Sequence, residues 1–250
     1  ARREAPTTAF DLHDPWYRDF GHVVVDEAQD LSPLQWRSVS RRGAYATWTV
    51  VGDLHQRSRV REPSTWEAIA RLIGRTQVDI ERLRVNYRSP AEHVPVAIAV
   101  LAAAGHDPSG HPEAVRRSGR SARLVVGDPE ARIVAVVAQR LREAGGTLAI
   151  VAPPAALGPI RTRLERGLDP EALERVSLHL PRAVKGLEFD DVIVVDPATI
   201  ARASSVGLHD LYVAITRATR SLTVVARSAS DLPGAEHLEL EGASGAPPPG

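Results

Sequence analysis

Short runs of β-branched and aliphatic residues alternate along this chain with longer stretches whose apolar positions recur every three or four residues. That is the pattern of parallel α/β architecture. The first run, His22 to Val25, leads straight into Asp26 and reads as a buried strand. Ser32 then offers a side-chain oxygen as helix cap, Pro33 suits the first helical position, and Leu34, Trp36 and Val39 follow. Thr47 to Val51 reads as a second strand, ending at Gly52-Asp53. Ser64 and Glu67 predict a capping box for a helix carrying Trp66, Ile69 and Ile73 and closing at Gly74. Ser89, Pro90 and Glu92 predict a further helix start, with Pro95 expected to kink or shorten that helix. Residues 105–119, rich in Gly, Pro, His and Arg, read as a loop. Five strands are predicted beyond it, at Arg123 to Val126, Thr147 to Val151, Val176 to Leu180, Val192 to Val195 and Leu222 to Val225. Helices fall between most of them; Asp128-Pro129 opens one whose apolar face is Ile133, Val134, Val137 and Leu141. No internal repeat occurs, and 242–250 has the composition of a tail or linker.

Composition narrows the class. The chain has 250 residues, room for one large domain or two ordinary ones. Hydrophobic residues make up 43% and charged residues 25%, as in a globular protein, but aromatics only 4%, so the core must be aliphatic. Cysteine is absent, which excludes disulfides and a thiol nucleophile and fits the cytoplasm, the expected location. No apolar run approaches the roughly 20 residues that span a bilayer, so no membrane partner is expected. The chain opens on charged residues without a Met, as a fragment would. Formal net charge is zero, so charge alone does not point to nucleic acid. Lys185 is the single lysine among many arginines.

Five segments carry candidate chemistry. In Val23-Val24-Val25-Asp26-Glu27-Ala28-Gln29-Asp30, a strand delivers two carboxylates to the edge where α/β folds bind ligands. One carboxylate there can hold Mg2+ through its water shell, and its neighbour can position or deprotonate an attacking water. In Val50-Val51-Gly52-Asp53-Leu54-His55-Gln56, a second strand ends near the same edge, and the Gln56 amide could sense a phosphate without adding charge. Tyr87-Arg88 places a guanidinium fork, matched to phosphate, between the two halves of the chain. Val184-Lys185-Gly186-Leu187-Glu188-Phe189-Asp190 precedes a strand; Gly186 lets backbone approach a ligand, and Glu188 could accept from ribose hydroxyls. Finally, Arg217 is a lone charge within the small and apolar run Leu211 to Ala218. Taken singly, each has an ordinary reading: an acidic turn, a tight turn, a surface arginine, a polar loop, a structural salt bridge.

In this order and spacing, the five resemble motifs II to VI of the UvrD/Rep-type superfamily 1 helicases, from Val23 to about Arg227, and look closest to the helicase IV/HelD-like branch associated with RNA polymerase. The resemblance implies two RecA-like (P-loop NTPase-type) parallel-sheet units, the first incomplete. Residues 1–85 would be the C-terminal part of the first, 86–232 the second, and 233–250 a flexible tail. It implies ATP and Mg2+ as cofactors. Asp26 would be the magnesium ligand with Glu27 the general base beside it. Gln56, Arg88 and Arg217 would reach the γ-phosphate, and Gly186 and Glu188 would line the nucleotide.

Three departures qualify it. No G-x-x-x-x-G-K-[ST] sequence occurs, so the phosphate-binding loop is expected from a segment preceding this one, and the piece alone is expected to be inactive. After Gln56, Arg57-Ser58-Arg59-Val60-Arg61 stands where unwinding members carry base-stacking aromatics. Arg182 stands where the family usually has a histidine before its Lys-Gly. Three functions follow as alternatives. The first is an ATP-driven motor that translocates on DNA or RNA or remodels RNA polymerase. The second is a non-catalytic module that docks on polymerase or nucleic acid, and the third a DNA-unwinding repair helicase.

Overall fold

The computed structural model describes residues 20–57, 63–143 and 145–241. The segment Ser58 to Arg61 and the 242–250 stretch therefore lie outside the described residues. The chain forms two compact units, one of residues 1–54 and 61–80, the other of residues 55–60 and 81–250. The division falls at Ile80/Glu81, and the Leu54–Gln56 turn is shared between the units.

In the first unit, strands β1 (His22–Val25) and β2 (Thr47–Val50) pair in parallel with His22 opposite Thr47 and Val25 opposite Val50. Helix α1 (Pro33–Arg42) connects them. Its start is a complete capping box: Ser32 Oγ accepts from Gln35 N, and the Gln35 side chain returns to Ser32 N. Helix α2 begins at Trp66 and runs to Leu72, so Thr65 rather than Ser64 occupies its capping position, accepting from Ala68 N at 3.1 Å. The small core joins Val25, Ala28, Trp36, Ile69 and Ile73.

The second unit is built on a six-stranded, all-parallel sheet of order β10-β5-β9-β8-β6-β7. Its strands are β5 (Arg123–Val126), β6 (Leu148–Val151), β7 (Val176–His179), β8 (Phe189–Val195), β9 (Ala218–Ala226) and β10 (Glu239–Glu241). Both faces are covered. On one, Val192, Val194, Leu222 and Val224 meet helices α3 (Val94–Ala103) and α8 (Gly207–Ile215). On the other, Ile193, Val195, Leu148 and Ile150 meet α4 (Pro129–Glu143) and α5 (Pro154–Gly167). Burial on both faces is why these strands read as continuous apolar runs rather than as alternating ones. The short helices α6 (Pro170–Glu174) and α7 (Pro197–Arg202) complete the connections.

Three expectations change. Pro95 does not kink a helix. α3 starts at Val94, so Pro95 lies in the first turn, where its missing N–H costs nothing. Ser89 to Glu92 precede the helix, and the Glu92 carboxylate instead accepts from Ser118 N at 3.1 Å and Gly119 N at 3.0 Å. The 105–119 stretch is not all loop. Its strand β4 (Glu113–Ala114) pairs in parallel with β3 (Val85–Asn86), which draws residues just before 86 into the second unit. Nor is 233–250 a flexible tail throughout. Leu238 is buried, β10 pairs with β5, and the Glu241 carboxylate meets the buried Arg140 guanidinium.

Candidate functional site

The acidic turn of the first unit follows from how β1 ends. Glu27 adopts a left-handed backbone, φ 50°, ψ 44°, which costs a non-glycine residue on the order of 1–2 kcal/mol. Local bonds offset that cost. Glu27 N donates to Asp26 Oδ1 at 2.7 Å, and the Glu27 carboxylate accepts from Gln29 Nε2. Gln29 is fully buried, and its Oε1 accepts from Asp53 N at 3.0 Å, so one amide ties the exit of β1 to the exit of β2. Ala28 N donates to Val51 O at 3.0 Å across the same gap. Gly52 is required by this closeness and not by a tight turn: a Cβ there would strike Gln29 Oε1 and come within 2.9 Å of Ala28 N. Asp26 and Glu27 themselves remain exposed at the carboxyl end of β1.

In the second unit the candidate residues gather at the opposite, amino-terminal end of the strands. Glu188 directly precedes β8 and Arg217 directly precedes β9; these strands are parallel neighbours, with Phe189 opposite Ala218. Phe189 N donates to Arg217 O at 3.1 Å, which fixes the starts of the two strands side by side. Arg217 is 1% exposed. Its guanidinium donates to Val213 O at 3.1 Å, Thr216 Oγ1 at 3.2 Å, Leu187 O at 3.4 Å and Gln56 Oε1 at 3.2 Å. Lys185 Nζ donates to the Gln56 main-chain oxygen. Gln56 is thus held at its side chain by one cation and at its backbone by another. Between them, Gly186 has φ 73° and open space where a Cβ would go, so the backbone conformation is what calls for glycine.

Arg88 sits at the end of the β3 segment. Asn86 Oδ1 accepts from Arg88 N at 2.9 Å and Ser89 N at 3.1 Å, a local turn that projects Tyr87 and Arg88 outward. Tyr87 is 74% exposed. The Arg88 guanidinium pairs with Glu188 at 2.5 Å, both side chains being about half exposed. The two residues assigned separate nucleotide contacts by sequence therefore meet each other directly. Arg182, standing at the position of the expected histidine, bonds Asp210 at 3.0 Å and Ser204 at 3.2 Å, and so anchors the Pro181–Val184 turn to α8. Burial raises the Asp210 carboxyl above the ordinary range, against the opposing pull of Arg182 and Lys185.

The structure brings Gln56, Lys185 and Arg217 into one cluster, Arg88 and Glu188 into a pair, and Asp26 and Glu27 into another. Sequence reasoning did not single out Gln29 or give Lys185 a role. Gln29 carried a signal, an amide set between acidic residues; Lys185 carried one too, as the chain's single lysine.

The acidic pair suits a hard divalent cation: both groups are exposed oxygen donors, and Mg2+ is commonly held by one or two carboxylates with other ligands from substrate phosphates and water. Among the described residues no group of three or more His, Asp or Glu forms a closed metal cage. The cationic cluster of the second unit, with its desolvated guanidinium, suits a polyanion such as a phosphate chain.

The UvrD-like helicase C-terminal domain family matches residues 182–225, a span that contains Lys185, Gly186, Glu188 and Arg217. No curated protein matches the chain. Among solved structures, the C-terminal domain of a possible DNA helicase from Lactobacillus plantarum WCFS1 is similar at 22% identity, over 62% of this chain and 98% of that one, with a TM-score of 0.43. Arterivirus nonstructural protein 10, a helicase, is similar at 18% identity over 86% of this chain, with a TM-score of 0.49. The same helicase in complex with DNA gives 19% identity and a TM-score of 0.49. This chain spans 42% of the length of either arterivirus structure.

Proposed function

We propose that this chain is part of a superfamily 1 helicase-type motor that hydrolyses ATP with Mg2+ and couples the hydrolysis to movement on nucleic acid or to remodelling of RNA polymerase. The observation that carries the reading is the cluster at Gln56. A buried guanidinium and the chain's single lysine converge on one neutral residue, the first at the Gln56 side-chain amide and the second at its main-chain oxygen, and both cations lie within the span that the helicase family matches. Cations engaged by a neutral amide keep their affinity for an anion. A γ-phosphate arriving at Arg217 would compete for the guanidinium donors and so shift Gln56, which turns phosphate loss into motion of the Leu54–Gln56 turn.

Arg88 would act similarly: a phosphate would draw it from Glu188 and leave that carboxylate to accept from ribose hydroxyls, while the exposed Tyr87 ring offers a face for the base. On the acidic turn, Asp26 would hold Mg2+, which supplies charge neutralisation at the phosphates, and Glu27 would orient and deprotonate the attacking water. Guanidinium fingers are worth about 10³–10⁵ in rate in related phosphoryl transfer.

The test is ATP turnover by the intact gene product, including any coding sequence upstream of Ala1. Glu27→Gln and Arg217→Ala should each reduce kcat by about 1000-fold or more. Wild-type turnover that survives either change would overturn the assignment. A second reading is a non-catalytic module docking on polymerase or nucleic acid. It is supported instead if the intact product binds its partner but hydrolyses nothing. The HelD-like assignment predicts co-purification with RNA polymerase without stimulation by DNA, whereas a repair helicase predicts DNA-stimulated turnover.

A further inference from the structure

Outside the proposed phosphate cluster, three histidines far apart in sequence form a continuous stack. His55 lies in the Leu54–Gln56 turn, His106 just beyond α3, and His209 within α8. The His55 and His106 rings meet edge to face with centroids 4.7 Å apart. His106 and His209 meet likewise at 5.0 Å, and their Nε2 atoms are 2.9 Å apart. At that distance one ring donates and the other accepts. His209 is 4% exposed, which places the inner end of the stack in the body of the unit.

The position of the stack gives it a use. Its outer member directly precedes Gln56, and its inner member lies on the helix that leads into Arg217. The turn is therefore held by two routes, through Gln56 to Arg217 just beyond the end of α8, and through His55 and His106 to His209 within it. We infer that the His55–His106–His209 stack is a positioning device that sets Gln56 against Arg217, with His106 as the coupling residue. If the first attachment breaks when a phosphate competes for Arg217, the second keeps the turn in register for its return. The catalytic consequence rests on the motor reading above; the positioning itself does not.

Amide hydrogen exchange on this chain tests the positioning. His106→Ala should raise exchange across the peptide containing Leu54 to Arg57 on the order of tenfold while β8 and β9 keep their protection. His106→Gln, which can still donate to His209, should restore most of it. Unchanged exchange at 54–57 overturns the inference. Should the alanine variant lose protection in β8 and β9 as well, His106→Phe decides. It keeps the edge-on ring without the His209 bond; a rise confined to 54–57 supports the coupling, and no rise overturns it. In the intact gene product, His106→Ala should lower kcat about fivefold to tenfold at unchanged KM, the scale of one lost hydrogen bond. It should also be non-additive with Gln56→Ala; additive effects overturn the coupling. An intact product that hydrolyses nothing removes the motor reading and leaves the exchange result to stand by itself.

Discussion

A buried histidine shows how a single side chain sets a pH limit on this fold. His93, the residue before α3, is 1% exposed, and neither ring nitrogen has a hydrogen-bond partner. Burial lowers its pKa from 6.5 to about 4, against the weaker upward pull of the Glu92 carboxylate and of the Ala218 carbonyl, which lies near but outside hydrogen-bonding geometry. Because the folded pKa lies below the unfolded one, the unfolded chain takes up the proton first as pH falls. The neutral ring's contribution is whole above about 6.5 and is lost progressively down to about 4. His93→Leu should remove this loss, which amounts to at most about 3 kcal/mol across that window, and should be neutral or stabilising by about 1 kcal/mol at pH 7, since it deletes two unsatisfied polar atoms. Urea unfolding of both proteins at pH 7 and pH 4.5 reads the difference. Parallel losses in the two would show that His93 does not carry the acid sensitivity.

At the scale of elements, β10 depends on one ion pair. Arg140, on α4, is 3% exposed, and its guanidinium donates to both Glu241 oxygens, at 2.8 and 2.6 Å, and to Glu143 at 2.6 Å. Desolvation lowers the Arg140 pKa, and the two carboxylates oppose it, so the buried charge is tolerated only with its partners in place. Glu241→Ala should cost about 2–3 kcal/mol and release β10 from β5, seen as lost amide protection at Glu239 to Glu241. Retained protection would mean the strand is held by its ladder alone. This element was illegible in the sequence for a physical reason: three residues, two of them carboxylates, carry no apolar signal, and their partner lies 101 positions earlier. The first halves of β8 and β9 were missed likewise. Asp191 is buried there, compensated by Arg220 and by Ser221 at 2.6 Å, so polar residues occupy strand positions that a hydrophobic pattern rejects. The apolar second halves, with Val192 to Val195 and Leu222 to Val225, were legible because the sheet is covered on both faces. The candidate site was legible wherever an apolar run hands over to polar residues, as at Asp26 and Gln56. The meetings of Arg88 with Glu188 and of His106 with His209 depend on sheet register and helix packing, which no local spacing encodes.

For the whole molecule, two compact units of unequal construction imply unequal stability. The second has a six-stranded parallel sheet with an apolar cluster on each face. The described part of the first has a two-stranded sheet and a core of five buried residues. Two strands are marginal without further packing, and small cores bury too little apolar surface to offset much chain entropy. The first unit should therefore unfold at the lower urea concentration, and the transition should depart from two-state behaviour. The sequence supplies separate reporters. The tryptophans among the described residues, Trp36, Trp48 and Trp66, belong to the first unit, and the sequence of the second has none. Trp36 is fully buried, so its emission should shift to the red as that core opens. Far-ultraviolet dichroism follows mainly the helices of the second unit. The fluorescence midpoint should consequently precede the dichroism midpoint, with a plateau or a broadened transition between them. Coincident midpoints would mean that the units unfold as one, and that the small unit draws its stability from coupling to the larger one rather than from its own core.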